Sequence, residues 1–118
     1  MKPDRSLLKL RDQLRTFARD RDWDQFHSPK NLASALSVES SEVLEHFQWL
    51  SSEQSQLLSS EVKARVGLEL ADVLLYLVRL ADKLDIDLAA VAERKIAINA
   101  EKYPISKAHR SAAKYTEL

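Results

Sequence analysis

The sequence predicts an all-α protein, an antiparallel bundle of about four main helices, and three observations carry that expectation. A single glycine, Gly67, and three prolines leave the chain almost without the punctuation that strands and hairpins need. Apolar residues recur at spacings of three and four over long stretches, the period of an amphipathic helix. Serine or aspartate stands where several of these stretches begin, placed to accept the free backbone N–H groups of a first turn. With 118 residues and no cysteine, the chain is expected to form one domain over 1–118, held by its own core instead of by disulfides or a structural metal.

The first helix is expected from about Asp4 to Arg21, with Leu7, Leu10, Leu14 and Phe17 on one face. The polar segment RDRDWDQFHSP follows, and Ser28-Pro29 supplies an N-cap and a proline at the first helical position. A second helix then runs to about Leu50, with Leu32, Ala35, Leu36, Val43, Leu44 and Phe47 as its apolar set. A serine-rich connection, about 51–59, leads through a second serine cap into a third helix from about Glu61 to Leu84. Its centre, GLELADVLLYLVRLA, is apolar nearly all round, the pattern of a helix surrounded by protein. A lone domain this small rarely encloses a helix so fully, so part of that surface is expected to lie against a second subunit. Asp85 to Asp87 make a turn with an aspartate cap, and a fourth helix runs from about Leu88 to Lys102, where Tyr103-Pro104 stops it. Residues 104–118 are weakly patterned and read as a tail or a docked arm.

Lysine plus arginine equals aspartate plus glutamate at 18 each, so no net field steers the chain toward a nucleic-acid polymer or an anionic membrane. No stretch reaches the roughly 18 apolar residues of a membrane span. The N-terminal MKPDRSLLKLRDQL has no apolar leader region, and the expected location is cytoplasmic. One glycine cannot build a Walker or dinucleotide loop, so any phosphate must be handled by metal ions and side chains.

The acidic residues of the two central helices suggest how. Glu39, Glu42 and Glu45 follow one another at spacings of three on the second helix, and Glu69 and Asp72 repeat that spacing on the third. Residues three apart share a helix face, so neighbouring antiparallel helices would bring four carboxylates together. Their mutual repulsion is tolerable with cations among them, and hard oxygen ligands favour magnesium or manganese. For Glu39 and Glu42 the alternative is a solvated helix face. Glu69 and Asp72 interrupt an apolar helix, where an unpaired carboxylate costs several kcal/mol, and their alternative is a salt bridge to Arg65 or Arg79. Glu45 is expected to face outward or to support the site.

ESSE, 26 residues and then ELAD resembles the ExxE…ExxD signature of the all-α nucleoside triphosphate pyrophosphohydrolases, the MazG-like superfamily. RDWDQFHSPKNLA, FQWL, ELADVLLYLVRLA, KYP and KYTEL look like the dCTP pyrophosphatase branch, in the same order and over nearly the whole chain. The resemblance implies that Glu39, Glu42, Glu69 and Asp72 bind magnesium and carry catalysis, with Glu39 and Glu42 both open as the base. It implies that Trp23 and Trp49 line a base pocket with His27 and Tyr76 nearby; without it, both tryptophans read as core or interface and His27 as a loop residue.

On the fourth helix Lys95, Asn99 and Lys102 share one face. The resemblance supports Lys95 and Asn99 at phosphate and sugar, and solvent exposure is the alternative, most evenly balanced for Lys102. His46 and His109 read as surface or packing residues. The resemblance further implies a homotetramer, a dimer of dimers, with sites between subunits. Two departures bear on base preference: Leu14 stands where some relatives carry histidine, and the loop between the motif helices is shorter. The reaction expected is cleavage of a nucleoside triphosphate, dCTP or a modified dCTP, to monophosphate and pyrophosphate. A broad-specificity or dUTP-directed relative, a phosphoribosyl-ATP pyrophosphohydrolase and a non-catalytic helical interaction module are the other readings.

Overall fold

A computed structural model describes residues 5–118, and among these every regular element is a helix. Asp4, the expected start of the first helix, lies outside the described residues. The chain divides into two units, the first ending at Ile86 and the second beginning at Asp87.

The first unit holds α1 (Ser6–Asp20), a 3-10 turn over Asp24–Phe26, α2 (Pro29–Glu45), the one-turn α3 (Ser52–Ser55) and α4 (Ser60–Lys83). The caps follow the sequence reading closely. Ser28 accepts the N–H of Asn31 with Pro29 in the first turn, and Ser59 accepts the N–H of Val62. Within the expected polar connection, Ser51 and Gln54 form a reciprocal capping box that nucleates α3, an element the composition alone concealed.

α1 and α4 end in the same way. Asp22 and Asp85 take positive φ, 53° and 55°. Trp23 N–H bonds back to Ala18 O and Asp22 N–H to Arg19 O; Ile86 and Asp85 repeat the pair on Ala81 and Asp82. Both are Schellman closures with aspartate standing where glycine is usual.

α2 stops at Glu45, five residues before the expected Leu50. His46 and Phe47 bond to carbonyls only three residues back, and the tightened chain then leaves toward the Ser51 capping box. Trp49 therefore sits in a turn and not on a helix.

α4 packs most extensively on α2 and next on α1. The direction of α2 follows from its two ends. The turn that leads into it is tied through Asp24 to Arg79 and Lys83 late in α4, and His46 at its far end meets Glu69 earlier in α4. The two helices are antiparallel, as expected. Ala18, Leu32, Val66, Val78 and Ala81 are the buried apolar residues. Leu44 and Phe17, read as core from spacing, are largely exposed: Leu44 points away from α4, and Phe17 packs edge-on to Trp23, with the Arg21 guanidinium 3.6 Å from its ring centre. Leu68, Leu70 and Leu74 on α4 are exposed as well.

The second unit is α5 (Leu88–Lys102), capped by Asp87 through Ala90 N–H, then one-turn α6 (Ile105–Ala108) and a 3-10 turn over Tyr115–Glu117. Its end is docked on its own helix: Tyr115 meets Tyr103 edge-on with ring centres 6.1 Å apart, and Lys102 Nζ lies 4.9 Å from the Tyr115 ring centre. Among the described residues no helix is long and apolar enough to cross a membrane.

Candidate active site

α2 carries Glu39, Glu42 and His46 at spacings of three and four, and α4 carries Glu69, Asp72, Tyr76 and Arg79 at three, four and three. Each set lies along one helix face. Because α2 and α4 pack antiparallel, these faces meet, and the four motif carboxylates fall within electrostatic reach of one another. Glu39 registers all of them. Its carboxyl is raised above the ordinary glutamate range, first by a hydrogen bond shared with Glu42, then by burial, then by the charges of Glu42, Asp72 and Glu69.

The cluster is short of positive partners. Glu39 Oε2 and Glu69 Oε2 are shut off from solvent, and Glu39 Oε2 accepts no hydrogen bond from the described residues. Glu69 Oε2 lies 2.5 Å from His46 Nε2. Arg79 is committed to Asp24 and Asp82, so the salt bridge to it that would have explained Glu69 and Asp72 as purely structural is not made.

A buried carboxylate oxygen without a donor, set among like charges, suits a hard divalent cation. Among the described residues no three acidic or imidazole groups converge tightly enough to hold an ion unaided.

The expected base-pocket residues are distributed along the first unit. Trp23 stands just before the 3-10 turn, partly exposed, edge-on to Phe17 at 5.6 Å and to His27 at 6.4 Å. His27 accepts the Arg79 Nε–H on Nδ1 at 3.2 Å. Tyr76 is half-buried on α4, one turn past Asp72. Trp49, 86% exposed, faces none of the other described rings, and Glu45 is exposed. Lys95, Asn99 and Lys102 belong to α5 in the second unit: the first two are exposed, and Lys102 is partly covered beside Tyr115.

Two residues enter the site that the sequence reading set aside. His46 was taken as surface or packing, yet it is the close polar neighbour of Glu69. Its spacing of four from Glu42 and seven from Glu39 was the available signal. Arg79 was considered only as a counter-charge for the carboxylates, and it turns out to organise the Trp23 turn.

Comparison with known proteins shows the family. Residues 34–118 match the profile described as the MazG-like family. The chain is 41% identical to rat dCTP pyrophosphatase 1 over 98% of its length and 69% of the rat protein, and 42% identical to the human dCTP pyrophosphatase 1 over the same shares. A crystal structure of a pyrophosphatase from Archaeoglobus fulgidus superposes with a TM-score of 0.76 at 39% identity, covering 88% of this chain and 97% of that one. On this combination of helical fold, paired acidic faces and near full-length similarity, the chain belongs to the MazG-like family.

Proposed function

We propose that this chain is a nucleoside triphosphate pyrophosphohydrolase directed at dCTP or a modified dCTP, releasing the monophosphate and pyrophosphate. The observation that supports it most is the buried Glu39 Oε2, which accepts no hydrogen bond from the described residues, inside a four-carboxylate cluster. Glu39, Glu42, Glu69 and Asp72 would hold the divalent ion, magnesium by preference with manganese as substitute. When bound, the ion supplies charge neutralisation for the triphosphate and lowers the cost of forming hydroxide from water.

The chain's own residues supply the remainder. Trp23 and Trp49 stack on the base, worth about 1 to 3 kcal/mol per aromatic contact, with His27 and Tyr76 at its edge. Lys95, Asn99 and Lys102 contact phosphate and sugar. Glu39 or Glu42 orients the attacking water and takes its proton. Attack at the α-phosphorus expels pyrophosphate without a covalent enzyme intermediate.

In this reading residues 1–118 act as one catalytic domain in the cytoplasm. The working form is a homo-oligomer, a tetramer built as a dimer of dimers. The exposed leucines of α4, Leu68, Leu70 and Leu74, and the uncovered Trp49 support that assembly. Pyrophosphate release measured over a panel of canonical and modified deoxynucleotides, with and without magnesium, is the test. Metal-dependent release that is fastest with cytosine bases is expected. No release from any of them would leave a helical interaction module.

A further inference from the structure

Apart from the carboxylate cluster, a second set of charged groups in the first unit gathers on the last turns of α4. Arg79, only 6% exposed, divides its guanidinium among three partners on two segments. Nε donates to His27 Nδ1 at 3.2 Å, one terminal nitrogen pairs with Asp24 Oδ1, and the other reaches Asp82 Oδ2 at 3.4 Å. Lys83 Nζ joins Asp24 Oδ1 at 2.6 Å, and Arg15 of α1 grips both Asp82 oxygens, at 2.8 and 2.5 Å. Asp24 and His27 bracket the 3-10 turn, and Trp23 immediately precedes it.

A buried ion pair seldom adds more stability than apolar packing of the same volume. What a guanidinium does supply is direction: its planar fork fixes several acceptors at once, which an ammonium does not. Arg79 also lies on the α4 face of Glu69, Asp72 and Tyr76. Seven residues, two turns or about 10 Å of helix, separate it from Asp72.

We infer that Arg79 is a positioning residue, a latch that through Asp24 and His27 sets the Trp23 turn at a fixed distance along α4 from the carboxylate cluster. One rigid helix then serves as the ruler between the base end and the phosphate end of the site. The effect on substrate rests on the pyrophosphohydrolase reading; the latch itself can be read without turnover.

Asp24 is the place to open it, because its side chain is 59% exposed and its loss leaves Arg79 with Asp82 and His27. The chain has two tryptophans, so Trp49→Phe leaves Trp23 as the sole reporter. In that background Asp24→Ala is expected to shift Trp23 emission to the red and increase its quenching by acrylamide. In the otherwise native chain Asp24→Ala is expected to raise KM for the preferred triphosphate about tenfold while kcat changes much less, since stacking is a binding contribution. Should Asp24→Ala fail to fold, Arg79→Lys keeps the charge without the fork and reads the same quantities. Unchanged quenching in the folded variant overturns the latch. Increased quenching with unchanged KM overturns its role in positioning. A native chain that releases no pyrophosphate refutes the activity instead, and quenching still decides the latch.

Discussion

At the scale of single residues, the acidic cluster combines a stability cost with the binding function proposed for it. Glu69→Gln and Asp72→Asn each remove a ligand charge from a site whose members repel one another. Both are expected to lower turnover by at least about a hundredfold, the scale of losing a group that stabilises transition-state charge. Both should melt no lower than the native chain in chelator, because repulsion is relieved. Steady-state pyrophosphate release and thermal melts in EDTA check this, and full activity in either variant would remove that residue from the site.

His27 provides a second prediction at this scale. Burial, followed by the charges of Arg79 and Lys83, depresses its pKa below the ordinary 6.5, and Asp24 opposes this only in part. Above about pH 6.5 the imidazole is neutral in both folded and unfolded chain, and its environment imposes no penalty. As pH falls below that value the unfolded chain takes up a proton that the folded chain declines, so stability drops until the folded pKa is reached. Urea midpoints measured from pH 7.5 to 5.5 should fall more steeply in the native chain than in His27→Asn, which cannot titrate. Parallel slopes would contradict the depressed pKa.

At the scale of elements, the helix ends are the informative features. Ser28, Ser59 and Asp87 were readable as caps because capping is a local hydrogen bond between a residue and its own near neighbours. The left-handed aspartates were not, because a Schellman closure can be filled by several residue types. Asp85 carries two disadvantages, a positive φ that costs a non-glycine residue about 1 to 2 kcal/mol and a negative charge at the wrong end of α4. Asp85→Gly is therefore expected to stabilise the fold by about 1 kcal/mol, net of the entropy glycine adds to the unfolded chain. A melting temperature several degrees higher is the corresponding observable, about 4 °C per kcal/mol at this size. A lower one would mean that the aspartate makes a compensating contact.

At the scale of the whole molecule, the exposed leucines of α4 are the feature that a single chain leaves unresolved. Leu68 is 72% exposed on one side of the helix, and Leu70 and Leu74 are exposed on another. For the proposed oligomer, Leu68→Glu is expected to shift the assembly toward smaller species by light scattering, with circular dichroism unchanged, because a charge buried against an apolar neighbour is costly. An unaltered mass for the variant would place the subunit contact elsewhere.

The sequence by itself determined the helical class, the order of the main helices and the caps at Ser28, Ser59 and Asp87. All of these depend on contacts within a few residues or on a periodicity that one chain displays. It did not determine where α2 ends, because Trp49 and its neighbours suit a helix and a turn equally until the Ser51 capping box draws the chain aside. Nor did it show that His46 reaches Glu69 or that Arg79 gathers Asp24 and His27, since these partners lie 23 to 55 positions apart. Those choices belong to the tertiary structure. A charged side chain has several possible partners along the sequence, and only the antiparallel packing of α2 on α4 decides which of them it meets.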